Sequence, residues 1–581
     1  METETRKSSW RGAPWQAAAT LAACAPAWLI LRYGVDVPYW DQWDVAPFFE
    51  KLARGSLNAA DLFRQQNEYR QFFPNLIFVA LGRLTGWDVR FEMMAGFLLA
   101  CLAAFYVRRL GALTLADSSG GGPSFLLASL LVFSSMQYEN WLFGVQVVYF
   151  VPGACVTAGL VAAYSERVGT RAALTVCACL AAVATFSSAN GVVCWLVLPP
   201  AILAARPEAR QSLRRWLPVW GACLALCLAV YVYGYRTPGA HPAPAEALTR
   251  PLDAAVYFLA LLGGPLALGP RPLAVAVAAG SCALAAYALA VLYVLRYRHD
   301  AAFVRRAGAW AALGAYTVVT ALMVTAGRLG FGVAQSLSSR YTTFTLYLLV
   351  ALVYLLPRVA ARAARRGRWL KGRESLLGVV GAAAAVFLLL AHVLAFVLVV
   401  RHGAGPTRRA RLQAKACLLF AEAAPNERCL AEMLYPDAQK LRERAAALDR
   451  LGYLRPPLVR GGRMSELAAA GGVCSDDYGY FKVGATGVGG RALLPRRGGE
   501  PADAVVLARG ADEETQTAFA IVQPGGEKGM DEAAGDWLKG FPTAAPPPGA
   551  GDRLTAWAFD AEAGTAYRLC GEGVLPGARL R

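Results

Sequence analysis

The sequence predicts a mainly α-helical, polytopic membrane protein ending in a soluble helical segment and a small β-sandwich. Three observations predict it. Apolar runs close to the ~20 residues that cross a bilayer recur through roughly the first 400 positions. Hydrophobic residues make up 56% of the 581-residue chain and charged residues only 17%. Beyond about residue 401 the long runs stop, and charged helical patterns give way to short alternating strands. The net charge of +18 would point to nucleic acid in a soluble protein. Here most of the excess arginine lies in short loops between apolar runs, as the positive-inside rule requires, so a nucleic-acid partner is excluded.

The strongest topological anchor is PRVAARAARRGRWLKGR (357–373), a dense basic loop expected on the cytoplasmic side. Counting outward from it gives spans near 375–400, 341–357, 307–326, 272–295, 216–233, 191–204, 172–186, 144–163, 123–137, 91–108 and 14–33. That makes about 11 spans, with the N-terminus inside and the C-terminus outside. Each internal segment then carries basic residues, among them Arg108 and Arg109, Arg167 and Arg171, Arg206 to Arg215, and Arg296 to Arg306.

Two apolar stretches, FFPNLIFVALGRL (72–84) and VYFLALLGGPLALG (256–269), are short and broken by Pro or Gly. Such stretches lie in the interface more often than they cross, so both are placed on the outer surface. The early LAAC (21–24) has the look of a lipoprotein cleavage box at Cys24. The apolar run continues past it, which favours a retained signal-anchor helix.

The expected division is a membrane domain over 1–400, with a first outer loop at 34–90, a helical segment over 401–455 and a β-rich domain over 456–581. Apolar residues at helical spacing between 407 and 454 give the helices. AVVLAR, TAFAIV, LTAWAFDA and AYRLC, separated by Gly and Pro turns, give the strands. Cys417, Cys429, Cys474 and Cys570 are even in number, which suits disulfides in an oxidising space and allows three pairings; four reduced cysteines in a cytoplasmic domain is the alternative.

With this topology, five polar clusters fall on one membrane face. They are WDQWD (40–44), QNEYR (66–70), QYENW (137–141), SSANG (187–191) and SLSSRY (336–341). Acids beside the hydrocarbon core are functional candidates by default.

The order YWDQWD, DLFRQQNEYRQFFP, LTGWD, QYENWLFGVQ, FSSANG, SSRYTT resembles a group of uncharacterised bacterial multi-spanning membrane proteins over roughly the first 455 residues. These in turn look like the GT-C class of membrane glycosyltransferases, an architectural analogy. The resemblance implies a polyprenyl-phosphate sugar as donor, inversion at the anomeric carbon, and a first-loop acid corresponding to Asp41 or Asp44. The usual family spelling has His where this chain has Tyr69, which puts a proton-transfer role there in doubt.

Moving a sugar from a lipid phosphate to a hydroxyl needs a base beside the acceptor oxygen and positive or hydrogen-bonding groups around the leaving phosphate. Asp41 is the first choice as base, with Asp44 sharing or orienting it, and Glu68 is the third catalytic candidate. Arg70 could hold a carboxylate or contact a phosphate through its planar fork. Arg340 suits the lipid phosphate, with Tyr341 at headgroup depth; Glu139, Asn140 and Asn190 are sugar-ligand candidates, and Trp40 and Trp43 could stack on sugar.

Structural readings stand beside these. Trp40 and Trp43 fit an interfacial aromatic belt. Asp44 before VAPFFEKLARG fits a helix N-cap, with Pro47 in the first turn and Gly55 after the end. Arg340 could pair with a headgroup or carboxylate, and Asn190 before Gly191 closes a loop. No spacing marks a metal site, although a divalent ion held by Asp41, Asp44 and Glu68 is compatible with the residue types.

The functional expectation is a glycosyltransferase in the bacterial inner membrane, acting on a glycan, lipid or protein acceptor outside the cytoplasm. A transporter or flippase of lipid-linked glycans and a non-catalytic envelope scaffold are the alternatives. A transporter would more often show an internal repeat, and none is visible.

Overall fold

The computed structural model describes residues 2–574 apart from 115–120, 240–241, 244, 269–271, 367–373, 470–471, 485–486, 512–514, 526–533, 541–552 and 572. The end of the expected basic loop, 367–373, and the tip of the 256–269 stretch thus lie outside the described residues.

Eight of the described helices are long and apolar enough to cross a bilayer: Pro14–Tyr33, Arg90–Thr114, Gly144–Tyr164, Arg214–Val232, Pro272–Arg296, Ala301–Phe331, Ser339–Ala364 and Gly381–Leu419. The chain is therefore a multi-pass helical membrane protein. Three expected spans come out shorter: Gly121–Val132, Thr170–Thr185 and Val193–Ala205 have 12, 16 and 13 residues. At 1.5 Å per residue they reach only about 18–24 Å, against a hydrocarbon core of roughly 30 Å. The first two give way to turns at Phe133 and Phe186–Ser187, and the third carries Pro199 and Pro200 within it. Phe72–Thr85 and Pro251–Gly263, with 14 and 13 residues, are also too short to cross alone.

The chain forms two compact units. The first comprises residues 1–34, 58–78 and 90–405. The helices Pro251–Gly263 and Pro272–Arg296 approach closely, since a Cβ on Gly280 would lie 1.9 Å from the Leu259 carbonyl oxygen. Only glycine allows that backbone approach, as at tight crossings in membranes generally. Near the start of the helix Thr342–Arg366, polar side chains lock two motifs together. Thr343 Oγ1 donates to Gln137 Oε1 at 2.6 Å, and Asn140 Nδ2 donates to Thr343 Oγ1 at 2.5 Å and to the Arg340 carbonyl at 2.8 Å. Gln137 and Asn140 are each 1% exposed, so these bonds replace water that cannot reach them.

The second unit comprises 35–57, 79–89 and 406–581, so it draws two segments from the expected first outer loop and joins the helical and β-rich segments into one body. In WDQWDVAPFFE, Trp43 and Phe49 are wholly buried and both pack on Trp87, with ring centroids at 6.3 and 4.8 Å; Phe49 also meets Tyr453 at 4.7 Å. Gly82 makes room for this, since a Cβ there would come within 2.3 Å of the Phe49 ring. Pro47 sits in the first turn of the helix Ala46–Ala53, and Gly55 follows it at φ +66°, as expected. Asp44, however, does not cap that helix, whose N-cap residue is Val45 with no side-chain bond.

The β part has nine described strands: β1 Gly479–Val483, β2 Gly487–Leu494, β3 Glu500–Pro501, β4 Ala504–Gly510, β5 Thr517–Val522, β6 Asp536–Gly540, β7 Arg553–Asp560, β8 Thr565–Arg568 and β9 Gly573–Val574. One antiparallel sheet runs β1-β2-β3 with β6 on β2, and the other runs β5-β4-β7-β8 with β9 on β7. Val505, Leu507, Ala556 and Ala558 face Phe481, Val488, Ala492 and Trp537 of the first sheet. The alternate residues Val506, Ala508, Trp557 and Phe559 face Ala416, Leu419 and Phe420 of the helical segment. Burial of β4 on both faces explains why AVVLAR reads as one apolar run rather than an alternation. Disulfides join Cys417 to Cys429 and Cys474 to Cys570, one of the three pairings four cysteines allow.

Candidate active site

Glu68 owes its position to a four-residue turn. Gln66 and Tyr69 exchange both backbone N–H to carbonyl bonds at 2.9 Å, and Asn67 between them takes φ +51°. Asparagine tolerates that left-handed conformation better than most side chains. The turn is fastened to the end of the helix Arg210–Val232: Tyr231 Oη donates to the Glu68 carbonyl at 2.9 Å, and Arg70 donates to the carbonyls of Tyr231 at 2.6 Å, Phe63 at 3.1 Å and Tyr233.

The Glu68 carboxylate accepts a hydrogen bond and salt bridge from Arg328, near the end of the helix Ala301–Arg328. Their side chains are 19% and 17% exposed. The pair borders a cavity of about 280 Å³ in the first unit, lined also by Tyr69, Tyr149, Asn190, Tyr231, Tyr235 and Tyr341. That volume is at the small end of ligand pockets, which run from roughly 300 Å³ upward. The tyrosines give apolar ring faces with a hydroxyl at each edge, a lining suited to the mixed surface of a sugar. Burial, reinforced by Tyr149 and Glu68, holds the Tyr69 phenol well above its ordinary range. Burial, helped by Glu68, also raises the Tyr235 phenol. Both hydroxyls therefore stay protonated and able to donate at neutral pH.

Of the expected site residues, the cavity gathers Glu68, Asn190 and Tyr341. Asn190 also donates to Tyr316 Oη at 2.9 Å, which fixes its amide. Glu139 and Arg340 form a second, looser pair in the same unit, 3.9 Å apart and bridged by the Ser338 hydroxyl. Asn140 is buried in the interlock described above, and the guanidinium of Arg70 is committed to backbone carbonyls. Asp41, Asp44, Trp40 and Trp43 all belong to the second unit. There Asp41 is exposed, Trp40 is 39% exposed, and Trp43 is a core residue. Asp44 Oδ1 accepts from Arg444 at 2.9 Å and from the Tyr435 hydroxyl at 3.0 Å. Among the described residues, no group of three or more His, Cys, Asp or Glu is placed to hold a metal.

Sequence reasoning missed Arg328, Tyr149, Tyr231 and Tyr235. Arg328 carried a usable signal, a lone cation at the end of the apolar run ALMVTAGRLG, of the kind that marks function in membrane helices. The three tyrosines carried none, being spread through apolar helices and their ends.

No family model matches the chain, and no curated protein matches it. Among solved structures, the crystal structure of ArnT from Cupriavidus metallidurans in the apo state is similar over 61% of this chain and 80% of that one, at 14% identity. The TM-score is 0.28, too low for the likeness to bear on fold or activity.

Proposed function

We propose that the protein is a membrane glycosyltransferase that moves a sugar from a polyprenyl-phosphate donor to an acceptor hydroxyl outside the cytoplasm. The Glu68–Arg328 pair at a tyrosine-lined cavity carries this reading. It supplies a carboxylate base and a phosphate-binding cation side by side, on a multi-pass membrane protein where a lipid-borne donor is at hand. The motif order resembles a group of bacterial multi-spanning membrane proteins whose architecture looks like that of GT-C enzymes, and that analogy points the same way.

In the proposed reaction, Glu68 takes the acceptor proton while the acceptor oxygen attacks the anomeric carbon from the face opposite the phosphate. The bond from that carbon to the phosphate oxygen breaks, and the electron pair leaves on the phosphate. Single displacement inverts the configuration. Arg328 neutralises the departing charge, and the Tyr69 and Tyr235 hydroxyls donate to sugar or phosphate oxygens. Glu68 thus replaces Asp41 as the favoured base, because Asp41 is exposed and Asp44 is engaged by Arg444. Glu139, Asn190, Arg340 and Tyr341 stay as sugar- or phosphate-side ligands.

The disulfides support the sidedness. They suit an oxidising compartment, and 35–57 and 79–89 belong to the same compact unit as the four cysteines. In the proposed orientation Glu68 acts on the extracytoplasmic side. The N-terminus is then cytoplasmic and the C-terminal unit extracytoplasmic, in the inner membrane.

The test is transfer by the purified full-length protein in lipid nanodiscs, offered polyprenyl-phosphate hexoses and pentoses with simple glycan and lipid acceptors. Turnover of at least one donor with inverted product is expected. Donor binding without turnover across the panel would favour the transporter instead.

A further inference from the structure

We infer that Arg70 is a positioning residue, clasping the open end of the helix Arg210–Val232 so that the Glu68 turn is held against Arg328, and not a contact to substrate. The inference rests on the reading of Glu68 as base. A guanidinium carries five N–H donors in a fixed fork, and here three go to backbone carbonyls of Phe63, Tyr231 and Tyr233. The last carbonyls of any helix have no partner within it, and leaving them bare in an apolar setting is costly. A cation there also complements the negative end of the helix dipole.

Neighbouring bonds serve the same joint. Gln65 Nε2 donates to the carbonyls of Asn67 and Arg236, each at 2.7 Å, and Gln65 Oε1 accepts from Arg236 N at 3.0 Å. The Tyr231 hydroxyl returns a bond to the Glu68 carbonyl. Packing supplies little of this fixation, since only 6% of the apolar window of that helix is buried. Further along, Trp220 anchors the helix: its ring lies 5.0 Å from Trp195 and its indole N–H reaches the Trp195 carbonyl at 3.1 Å. The joint between residues 63–70 and 231–236 is therefore made mainly of hydrogen bonds, with Arg70 at its centre. To bind an anion instead, Arg70 would have to turn away from carbonyls that fix two cavity-lining segments.

The test compares Arg70→Gln, Arg70→Ala and Arg70→Lys in the full-length protein in nanodiscs, using amide exchange and transfer from a polyprenyl-phosphate hexose. In Arg70→Gln, exchange is expected to rise at 64–70 and 231–236, and kcat to fall about 10²-fold through misplacement of the base, with donor KM changed less than about threefold. Arg70→Lys should show a smaller exchange change and an intermediate kcat, and it serves if Arg70→Gln fails to fold. Added guanidinium should restore part of the kcat of Arg70→Ala. A raised donor KM at unchanged kcat would make Arg70 a substrate contact and overturn the inference. Unchanged exchange at the two segments would overturn it too. If Glu68→Gln keeps turnover, the reading of Glu68 falls by itself, and the exchange data still decide whether Arg70 clasps the joint.

Discussion

Arg328 donates to the carboxylate of Glu68 across 260 positions of sequence, bringing a helix end and a tight turn together at one cavity. In the proposed reaction the arriving phosphate competes for Arg328 and frees Glu68 to act as base. Replacing Arg328 with Gln is therefore expected to lower kcat/KM for the donor by about 10²–10³-fold. Arg328→Lys should recover only part, because an ammonium lacks the planar fork. Steady-state transfer assays check both, and near-normal kcat/KM in Arg328→Gln would remove the arginine from the site.

Asp44 is expected to matter for stability and not for donor handling. Its bonds to Arg444 and Tyr435 tie the first-loop segment to the helical segment of the second unit. Removing the carboxylate strands an arginine that is 11% exposed, so Asp44→Ala should cost roughly 1–3 kcal/mol. Thermal melting in detergent measures the loss, with donor KM expected unchanged. A variant that melts normally but no longer turns over would return Asp44 to the chemistry.

The disulfides close loops of 12 and 96 residues. Peptide mapping without reduction should recover Cys417 with Cys429 and Cys474 with Cys570, and no other pairing. Cys474→Ser with Cys570→Ser should destabilise the β part by about 2–5 kcal/mol. Free thiols at all four positions in protein from intact cells would contradict the assigned compartment.

Asp503 gives a pH dependence of defined sign. It is 3% exposed, between Arg497 and the backbone N–H of Ala561, and burial pushes its carboxyl up to about 6 although Arg497 pulls it down. The unfolded chain holds that proton only below about 3.9. Between the two values the folded state binds the proton more tightly, so this group's contribution to stability is greatest below about pH 4 and declines as pH rises through 6. Asp503→Asn should lack this decline. The stability difference between wild type and variant, measured from pH 4 to pH 7, should drift in the variant's favour and then level. A constant difference would contradict the assignment.

The membrane class, the helical and stranded character of the C-terminal part, and Glu68 as a candidate were legible because each rests on local pattern or residue type. The fate of VPYWDQWDVAPFFE was not. Its aromatics find Trp87 and Tyr453, and its acid finds Arg444, so its role is decided by partners up to 400 residues away. The cavity was half legible for the same reason. Glu68 and Tyr341 sit in polar motifs, while Tyr149 and Tyr231 are aromatics in apolar runs and look like any lipid-facing or core residue. Two of the shorter apolar helices read as full spans because hydropathy does not register the turns at Phe133 and Phe186–Ser187 that end them.

Single-turnover kinetics of Glu68→Gln decide whether Glu68 is the base for sugar transfer from a lipid phosphate. Wild-type and variant protein in nanodiscs would be loaded with the polyprenyl-phosphate sugar that supports turnover, and product formation followed after acceptor is added. Donor is expected to stay bound, with the transfer step slowed by about 10²–10⁴-fold. Transfer at the wild-type rate from correctly folded Glu68→Gln would contradict it.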